Sequence, residues 1–302
     1  MPRDGFINLL KPPGMTSHDV VAFVRRQLGL PRVGHLGTLD PAAAGVLPIA
    51  VGRATRLFDY AGKRDKAYRA DIVFGLTTDT LDAEGRVTSS ADASPLSESL
   101  LRELLAGLVG EVQQVPPAFS AVQVAGKRLH ELARQGVPVT APPKQVRFLQ
   151  LDLVEFQSGC RARAVVQVVC SAGAYVRVLA DDLGRAAGCG AYLDFLLRTR
   201  SGCFTLEEAV GLEELAEACQ AGSVEAHLLA PDWPLSDLPR TELEARGAAS
   251  FVSGSCVLVP TPPASCVRVY DRQGLFLGLG EANSTGQLRP RLVLATKEEL
   301  RA

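Results

Sequence analysis

The chain has 302 residues, of which 47% are hydrophobic and 22% charged, and it includes 28 glycines and 19 prolines. This composition suffices for a substantial buried core and excludes a disordered or collagen-like chain. The first residues lack an apolar stretch followed by a small-residue cleavage site, so no secretory leader is expected. Residues 247–267 carry no charge, but prolines interrupt them, so no membrane helix is expected either.

Seven cysteines are spread along the chain. They form no Cys-x-x-Cys pair, and no histidine stands at metal-ligand spacing from them. This usage predicts buried thiols in a reducing cytoplasm and no metal site.

Charge is unevenly distributed, although the formal net charge is only −1. Residues 1–70 hold 11 basic and 5 acidic side chains, and residues 117–150 hold 5 and 1, whereas residues 205–245 hold 1 and 10. Basic segments that share one face would provide the positive surface that a polyanion needs. Ordinary mixed surface charge explains the counts equally well, so charge alone leaves both interpretations open.

Hydrophobic periodicity and turn residues predict the elements of the first 190 residues in chain order. The first is a helix over residues 17–29, which Ser17 can cap and Gly29 can end. The others are a strand at 46–51, a helix at 53–61, a strand at 67–74, a helix at 96–108, paired strands at 145–156 and 161–171, and a helix at 174–187. This succession lacks strict strand–helix alternation, so it favours an α+β fold with a mixed or antiparallel sheet.

The pattern changes after residue 230. Residues 230–239 contain three prolines and are predicted to form a linker. Four short strand-like runs follow, at 256–260, 267–270, 275–280 and 288–294. They predict a small β-rich domain of about sixty residues at the end of the chain.

The segment from Gly34 to Ile49 carries the pattern most suggestive of chemistry. Its three glycines permit unusual backbone angles and close approach by a ligand, and Pro41 restricts Asp40 to extended conformations. Asp40 is therefore expected on a stiff loop ahead of an apolar strand. By pattern alone, such an aspartate is most often a turn residue that bonds to its own backbone.

This segment closely resembles the Gly-His-x-Gly-x-Leu-Asp-Pro-x-Ala-x-Gly-x-Leu-Pro signature of bacterial TruB-type tRNA pseudouridine synthases. The resemblance covers nearly the whole chain, and so many matches in order make it highly specific. Leu10 is a departure, because the family often has asparagine before Lys-Pro. The other matching segments are 11–17, 66–69, 78–85, 116–121, 126–136, 170–177 and 276–280.

The resemblance implies an enzyme that isomerises the uridine at position 55 in the T-loop of tRNA, without cofactor or metal. The base is flipped out, its glycosidic bond is broken, and the ribose is rejoined to C5. The implied fold is an α+β pseudouridine-synthase core with a mixed, largely antiparallel sheet flanked by helices, over residues 1–235. Residues 117–147 are expected to form a thumb-like insertion, and residues 240–302 a PUA-like domain that contacts RNA. The expected partner is the T-arm of tRNA, and the enzyme is expected to be a cytoplasmic monomer.

Three catalytic residues are implied by the resemblance: Asp40, Tyr68 and Arg177. The Asp40 carboxylate can act as a nucleophile or as a base near C2′ of the ribose. Arg177 is expected beside it, where a guanidinium keeps the carboxylate ionised; the alternative is a helical pair with Asp181. Tyr68 is expected to stack on the uracil near C5, although a phenol with a pKa of ~10 needs help to act as a base.

Further residues are implied to bind the substrate. Leu197 resembles the apolar residue that packs on the other face of the base, with Leu196 as its competitor. His35 is expected to fill the stack that the flipped base leaves. Contacts with the RNA are expected from Lys11, Lys127 and Arg128.

Two other functions fit parts of the sequence. A non-catalytic tRNA-binding or tRNA-folding protein on the same scaffold would need none of the three catalytic residues, so their joint presence disfavours it. A metal-assisted hydrolase built on Asp79, Asp82 and Glu84 is possible in spacing, but an acidic turn that ends at Gly85 is the simpler interpretation.

Overall fold

A computed structural model describes residues 4–117, 123–124, 127–128, 141–260 and 262–301. The strands are β1 (Gly5–Lys11), β2 (Val33–His35), β3 (Ala44–Val51), β4 (Lys66–Phe74), β5 (Leu76–Thr78), β6 (Val87–Ser90), β7 (Gly110–Gln114), β8 (Gln123–Val124), β9 (Lys127–Arg128), β10 (Lys144–Gln157), β11 (Arg163–Cys170), β12 (Ala191–Ser201), β13 (Phe204–Thr205), β14 (Arg240–Leu243), β15 (Val257–Leu258), β16 (Ala264–Asp271), β17 (Phe276–Ala282) and β18 (Gln287–Val293). The α-helices are α1 (Ser17–Leu28), α2 (Phe58–Ala61), α3 (Glu98–Gly107), α4 (Val176–Ala186), α5 (Leu212–Gln220) and α6 (Ala245–Val252).

The largest sheet has the strand order β1-β3-β12-β4-β11-β10-β7, with β2 paired to β3 and β13 paired to β12. Among the described strands, these pairs are antiparallel except β3 with β12, which is parallel. The parallel pair places the start of β3 against the centre of β12. The predicted α+β class with a mixed, largely antiparallel sheet is confirmed.

Helix α1 is capped one residue earlier than predicted. The side chain of Thr16 accepts a hydrogen bond from the main-chain N–H of Asp19, and the Asp19 carboxylate accepts one from the N–H of Thr16. Ser17 is therefore not the N-cap; it is buried on the inner side of the helix. Gly29 ends the helix in the left-handed conformation, as predicted.

Helices α3 and α4 cover one face of the sheet. Leucines spaced for the buried side of each helix pack with residues of β4, β10, β11 and β12 in a single apolar cluster. Tyr68, Leu196 and Leu39 belong to this cluster. The side chains near the Asp40 loop therefore border a packed layer whose positions are set by the sheet.

The C-terminal residues form a second sheet with the order β14-β16-β17-β18-β15. All four strands predicted there are present, but helix α6 was not predicted, because it has only eight residues and contains Gly247, a poor helix former. Residues 230–239 include a short 3-10 turn at Trp233–Leu235, and Leu235 is completely buried. That segment is therefore packed against the protein rather than a free linker.

Arg53 ties the two sheets together. Its guanidinium donates to the main-chain oxygen of Leu294 (2.8 Å) and to the carboxylate of Glu299 (2.6 Å). Leu279 and Leu294 also pack in one apolar cluster with Phe6 of β1. Arg53 itself lies in a 3-10 turn over Gly52–Leu57, which precedes α2 where a single helix over 53–61 was predicted.

The seven cysteines differ in their exposure to solvent. All seven cysteines are free, and Cys170 and Cys189 are buried, but Cys160, Cys203 and Cys256 are exposed, so the prediction of buried thiols is wrong for these three. Every helix in the described residues is too short or too polar to span a membrane.

Candidate active site

The loop between β2 and β3 carries Asp40 and is shaped by two glycines. Gly37 and Gly45 have φ angles of +92° and +113°, a region that other residues rarely adopt. A Cβ atom on Gly45 would lie 2.2 Å from the main-chain oxygen of Arg198, so only glycine lets the loop pass this close to β12. The Asp40 side chain remains 42% exposed, and its carboxylate is accessible to a ligand.

Lys11 supports this loop from within the protein. Its side chain is completely buried, and its ammonium group donates to the main-chain oxygens of Pro12 (2.8 Å), Pro41 (3.1 Å) and Ala43 (2.7 Å). Burial lowers the pKa of Lys11 to about 8, while the charge of Asp40 counteracts this fall. The predicted contact of Lys11 with RNA is wrong, because its three donors are engaged and the group does not reach solvent. Lys11 is a positioning residue for the loop.

Ser17 holds the same loop at a second point. Its hydroxyl donates to the main-chain oxygen of Leu39 (3.0 Å) and accepts from the main-chain N–H of Leu39 (2.9 Å). Leu39 directly precedes Asp40, so α1 fixes the backbone next to the carboxylate. The sequence offered one signal for this role, since Ser17 ends the family-like segment 11–17.

Arg177 joins two carboxylates at the first turn of α4. Its Nε lies 2.9 Å from Oδ2 of Asp40, and its Nη1 lies 3.3 Å from Oδ2 of Asp82. The same Nη1 donates to the main-chain oxygen of Thr80 at 3.2 Å. The Arg177 side chain is only 5% exposed, so the ion pairs are shielded from bulk water. The structure thus brings Asp40 and Arg177 together as the sequence predicted.

The alternative helical pair of Arg177 is not formed. Asp181 instead pairs with Arg185 one turn further on, with 3.2 Å between Oδ2 and Nε. Arg177 lies at the start of the helix and reaches out to the Asp40 loop. The interpretation of Arg177 as half of a pair with Asp181 is therefore wrong.

Asp82 is held in a tight turn after β5. The hydroxyl of Thr80 and the main-chain N–H of Glu84 both donate to its Oδ1, and Leu81 adopts a left-handed φ of +64°. Within the described residues, no group of three potential metal ligands is present. Because Asp82 is engaged with Arg177, it serves this site rather than the metal centre of the hydrolase alternative, and sequence reasoning missed that role.

The groups around Asp40 have opposing effects on the pKa of its carboxyl. Burial raises the pKa of the Asp40 carboxyl, Arg177 lowers it, and Asp82 raises it again. The guanidinium is thus the principal group that favours the ionised form of this carboxylate.

Gln114 fixes the start of the helix that carries Arg177. Its Nε2 donates to the main-chain oxygen of Tyr175 (3.2 Å), and its Oε1 accepts from the main-chain N–H of Tyr175 (2.9 Å). Gln114 is 1% exposed, and Tyr175 is the N-cap residue of α4. This two-point contact sets the backbone two residues before Arg177, and no sequence pattern indicated it.

Tyr68 lies on β4, directly opposite Arg198 on β12. Its side chain is 7% exposed. Burial raises the pKa of Tyr68 to about 12, and the positive charge of Arg198 counteracts part of this rise. No sequence motif indicated a role for Arg198, although it follows the two leucines considered for base contact.

The register of β12 decides between those two leucines. Leu196 pairs with Ala70 and Arg198 pairs with Tyr68, whereas Leu197 pairs with Arg69. Directly paired residues share a face of the sheet, and successive residues alternate between faces. Leu196 therefore lies on the Tyr68 face, and Leu197 lies on the opposite face. The choice of Leu197 is wrong, and its competitor Leu196 takes its place as the candidate base contact.

Replacing Leu196 with alanine should lower kcat/KM for tRNA at least about tenfold, because it removes an apolar surface next to Tyr68. Replacing Leu197 with alanine should change kcat/KM much less. Steady-state kinetics of both variants on one tRNA transcript test this difference, with thermal unfolding to establish that each variant is folded at the assay temperature. A larger loss for Leu197→Ala would contradict the assignment.

His35 lies on β2 opposite Ile49 and is half-buried. Burial lowers its pKa, and the positive charge of Arg198 lowers it further. Its Nδ1 is buried, with no hydrogen-bond partner among the described residues. A neutral ring whose Nδ1 has no hydrogen-bond partner among the described residues suits insertion into a base stack. That insertion remains a prediction.

Lys127 and Arg128 belong to the short strand β9, which pairs with β8. Their side chains, like most of the predicted thumb, lie outside the described residues. Their contacts with RNA therefore remain predictions.

Three segments of the chain match sequence models of one family. Residues 25–176 match the N-terminal domain of the TruB family pseudouridylate synthases. The chain belongs to this family. Residues 177–232 match the C-terminal domain of tRNA pseudouridylate synthase B, and residues 239–294 match the C-terminal part of pseudouridine synthase II TruB.

Whole-chain relatives of the TruB family agree with this assignment. The tRNA pseudouridine synthase B of Symbiobacterium thermophilum is 55% identical over 251 residues, which cover 83% of this chain and 82% of the relative. That of Heliobacterium modesticaldum is 43% identical over 286 residues, with coverages of 92% and 90%. In structure, the chain resembles one in a Cbf5-Nop10-Gar1 complex, with a TM-score of 0.75, 25% identity and coverages of 98% and 86%.

Membership of the TruB family makes this chain an enzyme that isomerises uridine to pseudouridine in tRNA. The non-catalytic alternative is thereby set aside, and so is the metal-assisted hydrolase.

Proposed function

We propose that this enzyme acts on uridine 55 in the T-loop of tRNA and uses Asp40 as its catalytic carboxylate. The observation that carries this proposal is the accessible Asp40 carboxylate, held by the buried Arg177 guanidinium. The adjoining Leu39 packs in one apolar cluster with Tyr68. The family-like segments of the sequence contain each of these residues. The buried supports of the loop keep the carboxylate in one position before substrate arrives.

Flipping of the target base is part of the proposal. A uracil stacked inside a folded RNA loop cannot reach a carboxylate that is flanked by β3, β12 and α4, and unstacking it costs a few kcal/mol. The half-buried, neutral ring of His35 lies on the strand that leads into the Asp40 loop. In the proposed complex His35 fills the vacated stack, while Tyr68 and Leu196 border the flipped base.

The proposed chemistry depends on an ionised Asp40. As a nucleophile it would form a bond to the sugar, and as a base it would remove the proton from C2′. Either route detaches the uracil from the ribose, and the uracil then turns so that C5 takes the place of N1. Arg177 supports both routes because it keeps Asp40 ionised and oriented.

The division of the chain follows the same proposal. Residues 1–235 form the catalytic domain, with the thumb over 117–147, and residues 240–302 form a PUA-like domain that contacts RNA. The substrate is held by its T-arm, and the enzyme works as a monomer. Free cysteines and a tRNA substrate support a cytoplasmic location.

Position-specific mapping tests the proposed target. Unmodified tRNA transcript is incubated with purified protein in EDTA without added cofactor, and pseudouridine is mapped by carbodiimide treatment and primer extension. The matched control is the same transcript with cytidine at position 55. We expect product at position 55 of the first transcript and none in the T-loop of the control. Product at another position, or no product at all, would contradict the proposal.

A further inference from the structure

The start of helix α4 is held by a side chain from a distant strand. Tyr175 is the N-cap residue, and its own side chain does not cap the helix. In a capping box, a Glu or Gln at the third helical position accepts from the N–H of the N-cap residue, but α4 has Val178 there. Oε1 of Gln114 on β7, 61 residues earlier, accepts this N–H instead, at 2.9 Å. A tertiary contact thus replaces the local cap.

Both polar ends of the Gln114 amide take part in this contact. Its Nε2 donates to the main-chain oxygen of Tyr175 at 3.2 Å, and the same oxygen accepts from the N–H of Leu179 in the first turn of the helix. Because Gln114 is only 1% exposed, water does not readily replace either bond. The amide therefore fixes the position and the direction of the main chain where α4 begins.

The loop that carries Asp40 is held without help from α4. Besides Lys11 and Ser17, the buried side chain of Arg198 binds it, with Nε donating to the main-chain oxygen of Val46 at 2.6 Å. These three supports belong to β1, α1 and β12. A shift at the start of α4 would therefore move the guanidinium of that helix relative to a stationary carboxylate.

The far side of the Arg177 guanidinium is bound to the turn after β5. Its Nη1 contacts Oδ2 of Asp82 and donates to the main-chain oxygen of Thr80. If the start of α4 shifts, these two contacts retain Nη1 in that turn. We then expect the 2.9 Å contact between Nε and Oδ2 of Asp40 to lengthen, because it is the contact between the helix and the separately held loop.

We infer that Gln114 is a positioning residue for the reaction, which holds the start of α4 so that the Arg177 guanidinium stays in contact with Asp40. This inference rests on the proposed function, in which Asp40 is the catalytic carboxylate. Gln114 acts through Arg177 and touches no reacting atom. Its loss should therefore slow the chemical step and leave the binding of tRNA largely unchanged.

The ionisation of Asp40 reports on this contact. The charged or titratable groups that interact electrostatically with its carboxyl are Arg177, Asp82, Lys11 and Tyr68. Of these four, Arg177 is the one that lies on α4, and it lowers the pKa of Asp40, so a longer ion pair raises that pKa. The proposed mechanism needs the ionised form, and activity is lost as pH falls through the pKa. The acidic limb of the rate profile should therefore move to higher pH.

A double-mutant cycle separates this role from a general contribution to folding. Single-turnover rates at saturating enzyme are measured from pH 5 to pH 9 for the wild type, Gln114→Met, Arg177→Met and the double variant. Methionine has a similar length but no amide, so it removes both bonds. Gln113→Met is the matched control, because Gln113 is exposed and alternation directs it to the other face of β7. Circular dichroism and filter binding establish that each variant is folded and binds tRNA.

We expect Gln114→Met to slow product formation at least about tenfold, with tRNA affinity retained and the acidic limb at higher pH. In the Arg177→Met background, the same substitution should change the rate less than about twofold, because the group through which it acts is absent. Gln113→Met should behave as the wild type. Equal slowing in both backgrounds, an unshifted acidic limb, or a wild-type rate for Gln114→Met would overturn the inference.

Gln114→Glu covers the case in which the methionine variant does not fold. An ionised carboxylate still accepts from the N–H of Tyr175 but cannot donate to its oxygen. Slowing that disappears in the Arg177→Met background supports the inference. Failure of both Gln114 variants to fold overturns it, because Gln114 then stabilises the fold as a whole. Failure of the proposed function is seen separately: the wild type would form no pseudouridine at position 55, or Asp40→Asn would retain activity.

Discussion

Replacing Asp40 with asparagine is expected to lower the rate of pseudouridine formation by roughly 10⁴-fold while tRNA binding is retained. The amide has nearly the same size as the carboxylate, but it is neither a nucleophile nor a base. Arg177 keeps its second carboxylate, Asp82, so the buried guanidinium is not left unpaired. The loop itself is held by Lys11 and Ser17, which the substitution does not touch.

Single-turnover assays and filter binding on the same transcript measure both parts of this expectation. Asp181→Asn is a matched control, because Asp181 lies on α4 and pairs with Arg185 away from the Asp40 loop. The control should retain nearly full activity. An Asp40→Asn variant with activity within tenfold of the wild type would remove Asp40 from the mechanism.

Replacing Arg177 with methionine is expected to lower activity at neutral pH at least about a hundredfold, since breaking a buried ion pair leaves its partners uncompensated. The pH profile should change as well. Burial raises the pKa of Asp40 and Arg177 lowers it, so loss of the guanidinium moves this pKa upward. In the proposed mechanism the ionised carboxylate is the active form, so activity is lost as pH falls through the pKa. The acidic limb of the rate profile should therefore lie at higher pH in the variant.

Rate profiles between pH 5 and pH 9 test this shift, and the range follows from the usual carboxyl and phenol pKa values of about 4 and 10. Arg185→Met is the matched control, because Arg185 is an exposed arginine on the same helix. Its profile should follow that of the wild type. An Arg177→Met variant that is slow but has an unshifted acidic limb would show that Arg177 acts by another means than the ionisation of Asp40.

Local sequence patterns predicted many of the helices and strands, because helix capping, turns and strand alternation depend on residues that are close together in sequence. The helix after residue 16, the apolar strand after the Asp40 loop and the paired strands β10 and β11 follow from capping residues, glycines and alternation. The α6 helix was missed because it has only eight residues and contains Gly247, a poor helix former. The 3-10 turn over 52–57 resembles a helix in pattern and differs only in its hydrogen bonding.

Several contacts at the candidate site could not be predicted from local sequence patterns. Leu196 and Leu197 have the same chemistry, and only the register of β12 against β4 places Leu196 on the Tyr68 face. Lys11 was assigned to RNA by resemblance, yet three main-chain oxygens bind it inside the protein. Such contacts join residues that are far apart in sequence, so no spacing rule indicates them.

By itself, the sequence determined the family and the reaction class, and its ordered motifs indicated Asp40 as the proposed catalytic carboxylate. Only the tertiary structure decided which groups support that carboxylate. Asp82, Gln114 and Arg198 act through distances and burial that arise when β4, β7, β12 and α4 pack together. The strength of an ion pair or a buried hydrogen bond depends on the surrounding dielectric and on angstrom-scale geometry, and folding alone creates both.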